Sequence, residues 1–261
     1  MSYNSAGWLK IVGLGAGNTK WLTPEASEIL HAATDIVGYE TYVAAMPKSV
    51  TAKRHASDNG VEVERSEYAL TLAAGGAKVA VVSGGDAGVF GMAAAVFEAV
   101  ETGDVAWRNL DIEVVPAITA MLAVAARVGA PLGHDFCVIS LSTYLKPWAI
   151  IEKRLRAASD ADFVLAIYNP ASKTRRDDLQ NALDILKEMR GENTVAIIAT
   201  NIGRGGEKLT ITTLAELNPE LVNMQTMLLI GSSHTRLIER GRDKQPFVFT
   251  PRYYEAAPAT P

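Results

Sequence analysis

Twice within its first ninety residues the chain runs an apolar stretch straight into a cluster of glycines. Residues 9–14 read as a buried strand entering Gly13-Leu-Gly-Ala-Gly17, and residues 78–83 are a near-continuous β-branched run entering Gly84-Gly-Asp-Ala-Gly88. A run with so little polar alternation suits a strand covered on both faces. A helical pattern follows each loop. Thr23-Pro-Glu25 offers a capping side chain, a proline at the first helical position and an early acid for a helix to about residue 33. The small-residue stretch 91–101 reads as the second helix. Strand, glycine loop and helix in alternation imply a largely parallel α/β sheet.

The same periodicities give a short strand at 36–39, a helix at 64–74 ended by Gly75-Gly76, and a strand at 111–115, while the segment from Glu40 to Asp58 has no clear assignment. Beyond Pro116 the pattern continues with an Ala-rich helix (119–128), a strand (136–140) and an amphipathic helix (148–158). Three further strands follow (163–168, 194–200, 226–230), with a helix (176–189) between the first two and an antiparallel strand expected at 208–212. A boundary near residues 116–120 divides the chain into expected domains 1–116 and 117–255, and 256–261, with two prolines, reads as a frayed tail.

Composition narrows the function. The 261 residues carry 25 Lys+Arg against 29 Asp+Glu, a net charge of −4, which argues against nucleic-acid affinity from bulk charge. A single cysteine, Cys137, excludes a disulfide framework or an all-cysteine zinc or iron–sulfur site within one chain. His31, His55, His134 and His234 are scattered without ligand-like pairing, so no metal is expected. The N-terminus lacks a basic segment followed by an apolar stretch, and the longest apolar runs fall far short of the roughly 20 residues of a spanning helix. A soluble cytoplasmic protein, without membrane or nucleic-acid partner, is expected.

Glycines after a strand let the backbone approach a ligand, and a nucleotide-like ligand is the natural guess. Gly13-Leu-Gly-Ala-Gly17 is neither G-x-G-x-x-G nor a P-loop, and a tight turn without a ligand explains it equally well. Glu40 stands 23 residues past Gly17, near where a dinucleotide-binding fold places its ribose-binding acid. Asp86, flanked by glycines, is open to ligand amines or hydroxyls. Lys173, Arg175 and Arg176 gather where a helix begins, against its dipole, which suits an anionic ligand; a solvated loop partly neutralised by Asp177 and Asp178 is the alternative. Lys53-Arg54-His55 and Arg204 with Lys208 add basic loops that suggest a multiply charged acidic substrate. Cys137 reads as a core residue and His134 as a structural one, and no Ser-His-Asp order or nucleophile elbow points to covalent catalysis.

Taken together, the motifs resemble the S-adenosylmethionine-dependent tetrapyrrole methylases, the class III methyltransferases. The likeness is carried by Val12-Gly-Leu-Gly-Ala-Gly-Asn with Leu22-Thr-Pro24, Ala33-Thr-Asp-Ile-Val-Gly-Tyr39 with Thr41-Tyr42, and Ser83-Gly-Gly-Asp-Ala-Gly-Val-Phe-Gly-Met92. It continues in Val114-Val-Pro-Ala-Ile-Thr-Ala120, Gly129-Ala-Pro-Leu-Gly-His-Asp-Phe136 with Ile139-Ser-Leu-Ser142, and Tyr168-Asn-Pro-Ala-Ser172. It spans about residues 9 to 250. The family usually has Pro at Ala16, Asp at Asn18, Pro at Ala87, Gly at Ala117 and an acid near Thr143. Ala87 and Ala117 stay small, whereas Thr143 weakens any role the usual acid has toward substrate.

The resemblance implies two α/β domains with mainly parallel sheets, an active-site cleft between them, a homodimer and an anionic tetrapyrrole substrate. Carried over position by position, S-adenosylmethionine is expected at Ala16, Gly84, Gly85, Asp86, Val89, Thr119, Ala120, Asn169, Asn201, Ile202 and Gly231. Glu40 is the expected proton acceptor and Lys53 the match for a donor. The implied reaction is methylation of precorrin-3B at carbon 17 with ring contraction to precorrin-4, in cobalamin biosynthesis. Three alternatives stay open: a cobalt-factor III substrate in the anaerobic route, an NAD-dependent dehydrogenase using Glu40 on the ribose, and a non-catalytic tetrapyrrole-binding protein.

Overall fold

The β-branched run at residues 78–83 is the middle strand of the first of two five-stranded sheets. The computed structural model describes residues 7–171 and 176–253, in two units, Met1–Ala120 and Met121–Pro261. Lys173 and Arg175 of the expected cation cluster, the side chain of Arg176 and the expected tail at 256–261 lie outside the described residues.

The first unit runs β1 (Trp8–Gly13), α1 (Pro24–Ala32), β2 (Asp35–Tyr39), α2 (Glu40–Ala44), β3 (Lys53–Ser57), α3 (Glu62–Ala74), β4 (Lys78–Ser83), α4 (Met92–Thr102) and β5 (Asp111–Val115). Its sheet has the order β3-β2-β4-β1-β5 with every pairing parallel. Successive side chains of a strand point to opposite faces, and β4 uses both. Val79 and Val81 join Leu70 of α3 and Val96 of α4 in one core cluster, while Ala80 and Val82 join Leu30 of α1 and Val43 of α2 in another. The capping expected at residue 23 is present: the Thr23 hydroxyl accepts from Ala26 N at 3.1 Å, with Pro24 opening α1.

The segment without a sequence assignment supplies α2 and β3. β3 reads Lys-Arg-His-Ala-Ser, mostly exposed, and lies at the edge of the sheet. An edge strand needs no apolar face, and charged side chains there block further pairing, so it carries no hydrophobic signature.

The second unit follows from α5 (Ala120–Val128) through β6 (Gly129–Ala130), β7 (Phe136–Ser140), α6 (Trp148–Asp160), β8 (Val164–Tyr168), α7 (Arg176–Arg190), β9 (Val195–Thr200), β10 (Lys208–Thr213), β11 (Thr226–Ile230), β12 (Arg236–Ile238) and β13 (Phe247–Phe249). Its main sheet has the order β10-β9-β11-β8-β7. The α/β class holds, but mainly parallel pairing does not extend to this sheet: β7 pairs with β8 in parallel, whereas β11 runs antiparallel to both β8 and β9, and β10 antiparallel to β9. For β10 chain length is the reason. Parallel neighbours need a crossover of about a dozen residues or more, and only residues 201–207 separate β9 from β10. Ile151 and Leu155 of α6 and Leu179, Leu183 and Leu186 of α7 pack with Leu165, Ile167, Ile198 and Leu228 as one core. A small sheet of β12, β13 and β6 completes the unit. Among the described residues no helix is long and apolar enough to cross a membrane.

Candidate functional site

β1 and β4 are parallel neighbours with Gly13 opposite Ser83, so both glycine loops leave the same edge of the first sheet side by side. They are joined there. Gly15 N donates to Gly85 O at 3.0 Å and Gly85 N to Gly15 O at 2.9 Å. The glycines have different causes. A Cβ on Gly13 would lie 2.6 Å from the Ala117 Cβ, and one on Gly84 would lie 2.5 Å from the Tyr42 ring, so those positions are set by packing. Gly85 needs glycine for its φ of +69°, and its side is open, with Thr119 Cα the nearest atom at 3.9 Å. That open backbone beside the buried Thr119 is where a ligand can approach the loop.

Asp86 is less free than its glycine-flanked setting suggests. Its Oδ1 accepts from Gly88 N and its Oδ2 from Ala117 N, both at 2.8 Å. It ties the loop after β4 to the segment leaving β5, and only its remaining lone pairs face a ligand. Val89 N donates to Asp86 O at 3.3 Å, Ala16 is buried, and Ala120 opens α5.

Glu40 is exposed at the first position of α2, directly past the end of β2. Lys53 is at the other end. It opens β3, which runs parallel to β2 with Lys53 opposite Asp35 and Ser57 opposite Tyr39, so about 13 Å of strand separates it from the Glu40 edge. The expected acceptor–donor pair is therefore not brought together. Nor is Lys53-Arg54-His55 a basic loop. Arg54 donates to the carbonyls of Val43, Met46 and Pro47, and His55 Nε2 lies 2.7 Å from Asp35 Oδ1. The dehydrogenase alternative fails on topology. A dinucleotide fold sets its ribose acid on the strand beside β1, and here β4 stands between β1 and β2.

In the second unit, Asn169 follows β8 and Asn201 follows β9, both with positive φ (50° and 55°). Both strands are antiparallel to β11 and hence run the same way, so the two asparagine turns share one edge. Asn169 Nδ2 donates to Ser140 Oγ at 3.0 Å at the end of β7, and Met121 N donates to the Tyr168 hydroxyl at 3.1 Å. Ile202 is buried behind Asn201. Gly231 does not belong with them. It follows β11, whose Ile230 pairs with Ala196 and whose Thr226 pairs with Thr200, placing it at the opposite edge about 13 Å or more away. There it is structural: its N donates to Val195 O at 2.8 Å, and Arg190 Nη1 donates to its carbonyl at 2.7 Å.

Residues 9–218 match the model of the tetrapyrrole (corrin/porphyrin) methylases. The chain belongs to this family. It is 46% identical over 252 residues to a Sinorhizobium protein named precorrin-3B C(17)-methyltransferase, covering 96% of this chain and 98% of that one. A Salmonella typhimurium protein named probable cobalt-factor III C(17)-methyltransferase is 40% identical over 250 residues, covering 94% and 99%. Among solved structures, the methyltransferase CobJ superposes with a TM-score of 0.88 at 43% identity, covering 94% of this chain and all of that one.

At Thr143 and Asn18, two positions where the resemblance leads one to expect an acid, the side chains are engaged in a definite way. Thr143 Oγ1 donates to Asp178 Oδ2 at 3.1 Å, so an acid reaches the place from α7, and Asn18 caps a short turn by accepting from Lys20 N at 2.9 Å. Cys137 is half-buried in β7; burial pushes its thiol up, only partly offset by Arg190, so it stays protonated and is a poor nucleophile. His134 precedes β7, and its Nδ1 accepts from Asp135 N at 2.7 Å. Arg204 and Lys208 are exposed. Sequence reasoning missed Tyr42 as the ring covering Gly84, although a glycine pair after a strand with an aromatic two residues past Glu40 was there to read.

Proposed function

We propose that this chain is an S-adenosylmethionine-dependent methyltransferase that methylates precorrin-3B at carbon 17, with ring contraction to precorrin-4, in cobalamin biosynthesis. The observation that carries this is 46% identity spread over nearly the full length of both chains to the relative bearing that name. A cobalt-factor III substrate is the second reading, and the relative that bears that name is the less similar of the two, at 40% identity.

On this reading the first unit's contacts with the co-substrate are Ala16, Gly84, Gly85, Asp86, Val89, Thr119 and Ala120, and the second unit's own candidates, taken separately, are Asn169, Asn201 and Ile202. The open side of Gly85 facing Thr119 and the shared edge of the two asparagine turns support it. Gly231 is left out because it lies at the other edge of its sheet. When bound, S-adenosylmethionine supplies an electrophilic methyl group. An electron-rich substrate carbon forms the new carbon–carbon bond as the methyl–sulfur bond breaks and S-adenosylhomocysteine departs. The chain's residues have then to align the carbon with the methyl and exclude water, which needs no protein nucleophile.

Contraction requires loss of a proton from a substrate hydroxyl, and Glu40 is the proposed base. Its carboxylate is exposed beside the aromatic pair Tyr39 and Tyr42, whose rings meet edge-on at 5.6 Å. The reading extends to a cytoplasmic location and to a homodimer, the latter tested by light scattering on the purified protein.

The deciding experiment is turnover of precorrin-3B beside cobalt-factor III with S-adenosylmethionine, product masses being read. Methylated, contracted product from precorrin-3B supports the first reading. Product from cobalt-factor III alone transfers the assignment to the second, and failure on both removes the branch while leaving the family.

A further inference from the structure

Asp35 of β2, His55 of β3 and Tyr68 of α3 stand far apart in the sequence and meet at the edge of the first sheet. His55 Nε2 lies 2.7 Å from Asp35 Oδ1, and His55 Nδ1 lies 2.9 Å from the Tyr68 hydroxyl, with the two rings edge-on at 5.2 Å. The partners fix the roles of the two nitrogens. Burial raises the Asp35 carboxyl, but hydrogen bonds from His55 and Thr34 outweigh it and hold the group below its ordinary value, so at neutral pH it is ionised and only accepts. Nε2 therefore carries the proton donated to Asp35. In a neutral imidazole the other nitrogen is then an acceptor, and the Tyr68 hydroxyl donates to Nδ1.

A hydroxyl, a base within hydrogen-bond reach and a third group that orients the base form the arrangement that activates a nucleophile. Exposure divides along the same line. The His55 and Asp35 side chains keep only 12% and 14% of their surface, so the base is held in place, whereas Tyr68 is 45% exposed and its hydrogen bond to His55 lies at the surface. Both nitrogens of His55 are engaged, which leaves the phenol oxygen as the nucleophile. The cluster is separate from the glycine loops. Asp35 pairs with Val79 near the start of β4, four residues and about 13 Å of strand before Ser83, where the second loop begins.

We propose that Tyr68 is a modification site, its Oη taking an acyl group from activated acyl donors with His55 as general base. The phenol oxygen bonds to the acyl carbonyl carbon, the bond from that carbon to the leaving oxygen breaks, and the phenol proton passes to His55 Nδ1 and from there to water. The probe is 4-nitrophenyl acetate, which gives up its acetyl group and departs as 4-nitrophenolate. The full chain is incubated with it, and the acetylated tyrosines are mapped and timed by peptide mass spectrometry. Tyr144 is the reference: it is 73% exposed, so reactivity that followed exposure alone would acetylate it first. Tyr68 should instead be acetylated about 10²-fold faster than Tyr144, the lower end of the effect of a positioned base. His55→Gln should bring Tyr68 down to the rate of Tyr144, and Asp35→Asn, which no longer fixes the proton on Nε2, should fall between. Tyr68→Phe should abolish the fast acetylation and leave the rate at Tyr144 unchanged. Equal rates at Tyr68 and Tyr144 in the wild type overturn the proposal, and that comparison needs no variant to fold. So does His55→Gln protein that acetylates Tyr68 at the wild-type rate, which would make the contact purely structural, or acetyl found on His55 in place of Tyr68.

Discussion

The backbone N–H of Ala117 donates to the Asp86 Oδ2 at 2.8 Å, so a side chain in the loop after β4 holds the chain where it leaves β5. The other carboxylate oxygen closes the loop on itself through Gly88 N. Replacing Asp86 with Ala leaves the part-buried Ala117 N–H without its acceptor, and the exposed Gly88 N–H with water alone, a loss of about 1–3 kcal/mol carried by the first. Urea denaturation should report a destabilisation of that size for Asp86→Ala, with weaker S-adenosylhomocysteine binding in calorimetry. Asp86→Asn keeps one acceptor oxygen and should fall between. An Ala variant as stable as wild type would mean the clamp contributes nothing.

The junction of the two glycine loops makes a second prediction. A Cβ at position 13 would lie 2.6 Å from the Ala117 Cβ and 2.9 Å from Gly85 O, both part of the packed junction. Gly13→Ala should therefore force the loops apart, costing about 1–3 kcal/mol as overpacking does, and should weaken S-adenosylhomocysteine binding. Gly60→Ala is the comparison. Its φ of +85° strains an alanine, yet nothing lies within 4 Å of its Cβ, so it should lose about 1 kcal/mol of stability with the binding constant unchanged. Equal effects of the two on binding would show that the junction does not shape the site.

Much of this architecture is legible in the residues alone, and the illegible parts have physical causes. The strand at 226–230 stands where its apolar run puts it, because a strand buried on both faces must be apolar throughout. β3 is invisible to that signal, being a polar edge strand. Pairing direction is not encoded in a strand's own residues: nothing in Thr-Met-Leu-Leu-Ile tells that β11 inserts antiparallel between β8 and β9. That one reversal carries Gly231 to the edge away from Asn169 and Asn201. Register likewise decides Lys53, whose charge is plain in the sequence and whose place at the start of β3 is not.

The separation of Glu40 from Lys53 can be tested in turnover. With Glu40 as base, Glu40→Gln should lower turnover by about 10²–10⁴, the range for a lost general base, while S-adenosylhomocysteine affinity stays at the wild-type value. Lys53→Met, at the far end of the strands, should leave turnover intact. Unchanged turnover in the Gln variant rejects Glu40 as base, and a Met variant as impaired as the Gln variant would place Lys53 in the proton transfer despite the strand register.

The Asp35–His55 contact predicts a pH dependence of stability. Burial pulls the Asp35 carboxyl upward, but hydrogen bonds from His55 and Thr34 and the positive charges of His55 and Lys53 outweigh it, holding the carboxyl below its ordinary value. A carboxyl held low in the folded state adds stability that is fully present above its unfolded value, about 4, and is lost as pH falls through the folded value. Thermal melts of wild type and Asp35→Asn should therefore favour wild type at about pH 5. Below about pH 4 the wild-type advantage should shrink as the carboxylate takes up its proton. His55→Gln, which removes the 2.7 Å partner, should show a smaller advantage at neutral pH and a flatter profile in acid. A wild-type advantage that persisted unchanged to pH 3 would show that the charge on Asp35 does not stabilise the join between β2 and the edge strand β3.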